Sequence, residues 1–98
     1  MAVLVTDSFG RPWRQGTTDV AIGVAGLAPL LDLHGRRDHV GYELRTTVIA
    51  VADEIAGAAE LVMGKTERVP AALVRGLAAT GSGSARDLVM PADRDLFR

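Results

Sequence analysis

Read for apolar and polar positions, the chain breaks into short runs punctuated by glycine and proline. Val3-Leu4-Val5 is apolar and gives way to Thr6-Asp7, the pattern of a buried strand with a polar exit. Ser8 to Gly16 holds two Gly, one Pro and two Arg, which predicts a loop. Val20 to Leu27 is small and apolar, and its glycines favour a kinked strand over a helix. Asp32 to Gly41 is charged and carries Gly35 and Gly41, the composition of a surface loop or hairpin. The strongest periodicity follows. Val48, Val51, Ala52, Ile55, Ala59 and Val62 share one helical face, with Asp53, Glu54 and Glu60 on the other side. Thr46 or Thr47 is placed to cap this helix and Gly64 to end it. Ala71-Ala72-Leu73-Val74 predicts a further buried strand, and Gly81-Ser82-Gly83 a flexible turn. Ser84 and Asp87 have the spacing of a capping box before a short helix that Pro91 stops. The expected class is α+β, mixed strands with one main amphipathic helix.

Composition narrows the possibilities. A chain of 98 residues holds one domain at most, and a core with only 4% aromatics must be built from Val, Leu, Ile and Ala. A net charge of -1 gives no electrostatic reason to expect nucleic acid or an anionic membrane as partner. Without cysteine there is no disulfide framework, thiol nucleophile or zinc-thiolate site. Met1 to Val5 lacks the basic region and apolar length of a signal peptide, and Asp53, Glu54 and Glu60 interrupt the longest apolar stretch. A soluble, cytoplasmic protein is expected.

Few residues carry candidate chemistry. Asp7 stands at a strand exit, a good position for a hard cation that takes oxygen ligands and shares substrate phosphates; Ser8 offers a neighbouring hydroxyl. Arg11 and Arg14 could clamp phosphate or carboxylate groups. Spacing alone favours a plainer picture, with Asp7 capping backbone amides and both arginines solvated. Gly64-Lys65-Thr66 imitates the end of a phosphate-binding loop, but Ala59 stands where the first glycine is needed and the segment closes a helix instead of opening one. A helix C-cap is the commoner explanation. His34 and His39, near Asp32 and Asp38, match no helical ligand pair and read as surface histidines. Gly81 to Ser84 reads as a connector before it reads as an anion cradle.

Taken in order, several segments resemble one family. Thr6-Asp7-Ser8-Phe9-Gly10-Arg11-Pro12-Trp13-Arg14-Gln15-Gly16 and Asp19-Val20-Ala21-Ile22-Gly23-Val24-Ala25-Gly26 are similar to the central motif of the coenzyme F420:L-glutamate ligases. Val51-Ala52-Asp53-Glu54-Ile55-Ala56, Val62-Met63-Gly64-Lys65, Val69 to Leu77 and Gly83 to Leu88 continue in the same register. Asp95-Leu96-Phe97-Arg98 is similar to the actinobacterial bifunctional form, where it leads into an FMN-binding reductase domain. The resemblance implies a GTP-dependent ligase. GTP activates the phospholactyl carboxyl of a deazaflavin precursor, and the amine of L-glutamate displaces phosphate. It implies magnesium or manganese, with potassium as a candidate monovalent cation, and a homodimer of intertwined subunits. By position, Asp7 and Ser8 match metal-binding residues. Met63, Gly64, Lys65, Thr66, Glu67, Arg68 and Val69 match a nucleotide-contacting loop.

Two departures bear on these implications. Lys65 stands where some members carry a metal-binding glutamate, so it would meet a phosphate rather than a second cation. The family's ligase domain also begins well before the strand at Val3. Residues 1–98 therefore read as part of that domain, without its N-terminal part or the reductase domain, and inactive alone. The competing expectation is a non-catalytic remnant or interaction module that keeps the fold's dimer-forming surface.

Overall fold

The computed structural model describes residues 1–43, 47–64, 68–77 and 81–94. Its backbone is a long antiparallel hairpin with one helix laid across it. Strand β1 (Val3–Arg11) pairs with β2 (Arg14–Ala25), and the turn between them is only Pro12-Trp13. Pro12 supplies a negative φ, while Trp13 turns the chain with φ 59°. Gly16, at φ 86°, absorbs the irregularity where the register shifts just below the turn. The predicted loop from Ser8 to Gly16 is therefore corrected to paired strand on both sides of a tight turn. Proline and glycine punctuate the tip, but cross-strand hydrogen bonds carry β structure through Ser8, Phe9 and Gly10.

A second register shift falls between Val5 and Thr6, where β2 accommodates one extra residue, Ile22. Above it Leu4 pairs with Val24; below it Thr6 pairs with Ala21 and Ser8 with Asp19. Because side chains alternate along a strand, one extra residue reverses the facing of everything beyond it. The bulge turns Ala21 into the core and Ile22 out, where it is 58% exposed.

Helix α1 (Val51–Met63) packs on the Leu4–Val24 face. Ala21, Leu27 and Ala52 form the centre, with Ala2, Leu4, Val24, Ile55 and Leu88 against them. Alanines at the contact let helix and sheet approach closely, so the predicted helical face is found but shifted: Ala52 and Ala56 are buried, whereas Val62 is 74% exposed. The helix starts at Val51 because Val48–Ile49 (β4) is held in a two-stranded ladder with Leu31–Asp32 (β3). Thr47 is spent on that ladder's flank, its carbonyl accepting from Leu33 N at 2.9 Å, and Thr46 lies outside the described residues. Ala50 is the N-cap, with no side-chain bond. One otherwise orphaned amide, Ala52 N, donates to Pro29 O at 3.1 Å, and Asp53 and Glu54 complement the helix dipole. Gly64 ends the helix as expected, its amide reaching Glu60 O at 2.9 Å.

The predicted strand at Ala71–Val74 is not formed. Those residues run without a ladder partner and are exposed, Leu73 at 65%. An apolar run makes a strand only where a sheet edge is offered to it. Short 3₁₀ turns follow at Ala85–Leu88 and Ala92–Arg94. The expected capping arrangement is present in the bond from Ser84 N to Asp87 Oδ2, 3.1 Å. The Gly81-Ser82-Gly83 stretch does more than turn. A Cβ on Gly83 would lie 2.6 Å from Pro29 Cδ and 2.8 Å from Asp87 Oδ2, so this glycine permits close approach to the buried Pro29. Gly83→Ala is expected to destabilise the chain by about 1–3 kcal/mol through overpacking. A thermal melt of the variant beside the parent checks this, and an unchanged midpoint would remove Gly83 from the packing account.

Candidate functional site

Strand alternation decides where the candidate residues of β1 point. Leu4 and Thr6 turn toward the helix, and Val3, Val5, Asp7, Phe9 and Arg11 fall on the outer face. Asp7 is exposed and pairs with Val20, in the middle of that outer row. Its Oδ1 accepts from Ser8 N at 2.8 Å, which holds the carboxylate against its own strand. Asp7 thus caps a backbone amide, as the plainer reading has it, and its carboxylate is exposed. The hydroxyl of Ser8 belongs to the opposite row, across from Asp19. The structure does not bring the Asp7 and Ser8 side chains onto one face, so a single ion held by Asp7 would be steadied by Ser8 through its amide.

Arg11 and Arg14 face each other at the last pair before the turn. Arg11 Nη2 donates to Gln15 O at 3.0 Å, bracing the tip while leaving other guanidinium donors outward. Both side chains are exposed, and between Ser8 and Thr18 there is no acidic residue. One carboxylate and two guanidiniums on one exposed row suit a cation-bridged anionic ligand. Magnesium commonly takes one or two carboxylates and completes its shell with water and substrate phosphates, so Asp7 fits it as a partial site. Among the described residues no three His, Cys, Asp or Glu side chains gather as a metal site.

Two carboxylates that sequence reasoning did not single out as site residues lie on the helix side. Asp19 is buried at 5% exposure and receives a long 3.4 Å contact from Thr6 Oγ1. Asp53 was assigned to the polar side of the helix. Instead its Oδ1 accepts from Ala21 N, 2.9 Å away and 32 residues distant in sequence. That amide sits at the bulge, where ladder pairing is interrupted, and the carboxylate supplies the missing acceptor. No periodicity in the sequence signals a bulge, so neither role was legible there.

Of the nucleotide-loop candidates, Met63 and Gly64 close the helix and are half-buried, while Arg68 and Val69 are exposed. Lys65, Thr66 and Glu67 lie outside the described residues. Gly64, Arg68, Val69 and Pro70 line a shallow, open depression of about 270 Å³. The aspartates beside His34 and His39 are engaged by nearby backbone amides. Asp32 Oδ1 accepts from His34 N at 2.8 Å, and Asp38 Oδ1 from Val40 N and Tyr42 N at 3.0 and 2.9 Å. Both aspartates are turn formers. Among the described residues no helix is long and apolar enough to cross a membrane.

An α+β hairpin-and-helix unit with Asp7, Arg11 and Arg14 exposed on its outer face is the class these observations define. Residues 1–76 match the family model described as F420-0:Gamma-glutamyl ligase, and the chain belongs to that family. It is 47% identical over 102 residues to the coenzyme F420:L-glutamate ligase of Methanothermobacter thermautotrophicus. It is 44% identical over 100 residues to that of Methanocaldococcus jannaschii and 43% over 104 to that of Methanopyrus kandleri. All of this chain is covered in each case, but it spans only 40% or 41% of the length of those relatives.

Proposed function

We propose that this chain is the part of a coenzyme F420:L-glutamate ligase that carries one cation ligand and part of the phosphate-binding surface. The similarity of the whole chain to proteins of that name, 43–47% identical, is the observation that supports this reading most. The exposed row of Asp7, Arg11 and Arg14 agrees with it.

The reaction has two balanced steps. A carboxylate oxygen of the deazaflavin's phospholactyl group attacks the γ-phosphorus of GTP, and GDP leaves. The amine of L-glutamate then attacks the acyl carbon, an amide forms, phosphate departs and a proton is lost from nitrogen. Magnesium or manganese supplies charge neutralisation at the phosphates when bound. Asp7 would hold it, with the Ser8 amide fixing the carboxylate. Arg11 and Arg14 orient anionic oxygens, and the Met63 to Val69 segment contributes to the nucleotide side, where Lys65 would contact a phosphate. Potassium and a homodimeric assembly in the cytoplasm belong to the same proposal.

The test is a graft. This chain replaces the matching 40% of the Methanothermobacter thermautotrophicus protein, and glutamate addition is assayed with GTP and magnesium. The graft is expected to add glutamate and the 98-residue chain alone to add none. A folded graft that hydrolyses or transfers nothing would favour the non-catalytic interaction module instead. Turnover by the chain alone would show that far fewer residues suffice.

A further inference from the structure

We infer that Asp53 is a positioning residue for the cation ligand Asp7, acting through the bulge of β2. The inference rests on the ligase reading above and adds to it a residue that touches no substrate. Three cross-strand pairs follow one another past the bulge: Thr6 with Ala21, Asp7 with Val20, and Ser8 with Asp19. Asp7 is the second residue beyond the register shift, about 7 Å along the strand. A bulge bends its strand and sharpens the local twist, and so re-aims the side chains next to it. Where the bulge falls therefore sets the direction in which the Asp7 carboxylate leaves the sheet.

The sequence of β2 does not choose that place. Val20-Ala21-Ile22-Gly23-Val24-Ala25 carries no polar side chain, and register is weakly specified where neighbours are alike. Moved two pairs toward the turn, the bulge would set Ala21, not Val20, opposite Asp7, and Ile22 inward opposite Thr6. Asp53 selects the observed place, because its Oδ1 accepts from the Ala21 amide at 2.9 Å where the ladder is interrupted. It does so from the first turn of α1, beside Ala52, which is packed against Ala21 in the core. On the same inner face Asp19, 5% exposed, receives Thr6 Oγ1 at 3.4 Å. The pairs on either side of Asp7 are thus each held by a carboxylate from beneath. Carboxylates on an inner face cost solvation that apolar side chains would not. Both fall under the one pair that carries the exposed ligand.

Manganese binding to the graft, read from the paramagnetic resonance of the free ion, tests this without turnover. Asp53→Ala is expected to raise the manganese dissociation constant about tenfold, the low end for groups that support a ligand. Asp53→Asn keeps an oxygen acceptor and should stay close to the parent. Gly83→Ala, which loosens the fold elsewhere, should leave manganese binding unchanged. In kinetics the apparent KM for manganese should rise with Asp53→Ala while kcat at saturating manganese holds. In the 98-residue chain, hydrogen exchange at the Ser8 amide, which donates to Asp7 Oδ1, should quicken in Asp53→Ala relative to the Gly64 amide. Gly83→Ala should leave that ratio as it is. If Asp53→Ala does not fold, Asp53→Glu carries the test: it keeps the charge at the helix start but misplaces the acceptor, and should weaken manganese binding. Unchanged manganese binding in the folded variant, or equal weakening in Gly83→Ala, overturns the inference and leaves Asp53 a purely structural clasp. If the parent graft neither binds manganese nor turns over, the ligase reading fails separately. The exchange ratio in the chain then decides whether Asp53 holds the Asp7 strand.

Discussion

Asp7→Asn in the graft is expected to lower glutamate addition by roughly a hundredfold or more. Groups that merely support a metal ligand are worth about 10–100-fold when removed, so a direct ligand belongs at or above that range. The substitution is a clean one on this structure. An amide oxygen can still accept from Ser8 N, the 2.8 Å bond that Asp7 Oδ1 makes, so β1 keeps its local geometry while the charge that binds the cation is lost. Asp7 is exposed, which removes burial as a competing explanation. Steady-state kinetics over a range of manganese concentrations, with a circular dichroism spectrum of each protein, is the measurement. Activity within a few-fold of the parent at low metal would rule out Asp7 as a ligand.

The second large effect concerns stability. Asp53→Ala is expected to cost about 1–3 kcal/mol, because the Ala21 amide would be left at the bulge with no acceptor. For a domain near this size each kcal/mol moves the melting midpoint by about 4–8 °C. The core makes the loss matter. Its buried apolar residues are Ala21, Leu27, Ala52 and Ala56, with no large side chain fully buried among the described residues. Asp53→Asn retains an oxygen acceptor and should recover much of the difference. Melts of both variants, with hydrogen exchange at the Ala21 amide, separate the cases. If Asp53→Ala melts with the parent, the clasp contributes nothing; if the Asn variant is as damaged as the Ala variant, charge and not the hydrogen bond is what matters.

The Asp53 clasp also shows why part of the site was hidden. Sequence periodicity placed Asp53 with Glu54 and Glu60 on a solvent face, and Glu54 is indeed exposed. Asp53 differs only because a bulge on a strand thirty-two residues away presents an unpaired amide to it. Likewise Ser8 to Gly16 has a loop's composition, yet most of it pairs, because a partner strand was in register. Ala71 to Val74 has a strand's composition and stays unpaired for the opposite reason. Arg11, Arg14 and Asp7 were legible as residue types, but their shared face needed the observation that β1 runs unbroken to Arg11.

What the sequence by itself determined is local or statistical: the α+β class, the amphipathic helix and its stop at Gly64, the Ser84–Asp87 contact, and the family, carried by many residues in one order. Each follows from short-range sterics, hydrogen bonding within a few residues, or summed similarity. Only the tertiary structure decided the long hairpin, its register, the bulge at Ile22, the inward turn of Ala21, and the separation of Asp7 from Ser8 onto opposite faces. The reason is that strand facing has a period of two, so a single inserted residue reverses every position beyond it at little local cost. That choice is settled by which pairing buries Ala21 against Ala52 and satisfies the Ala21 amide, and both partners come from a distant helix.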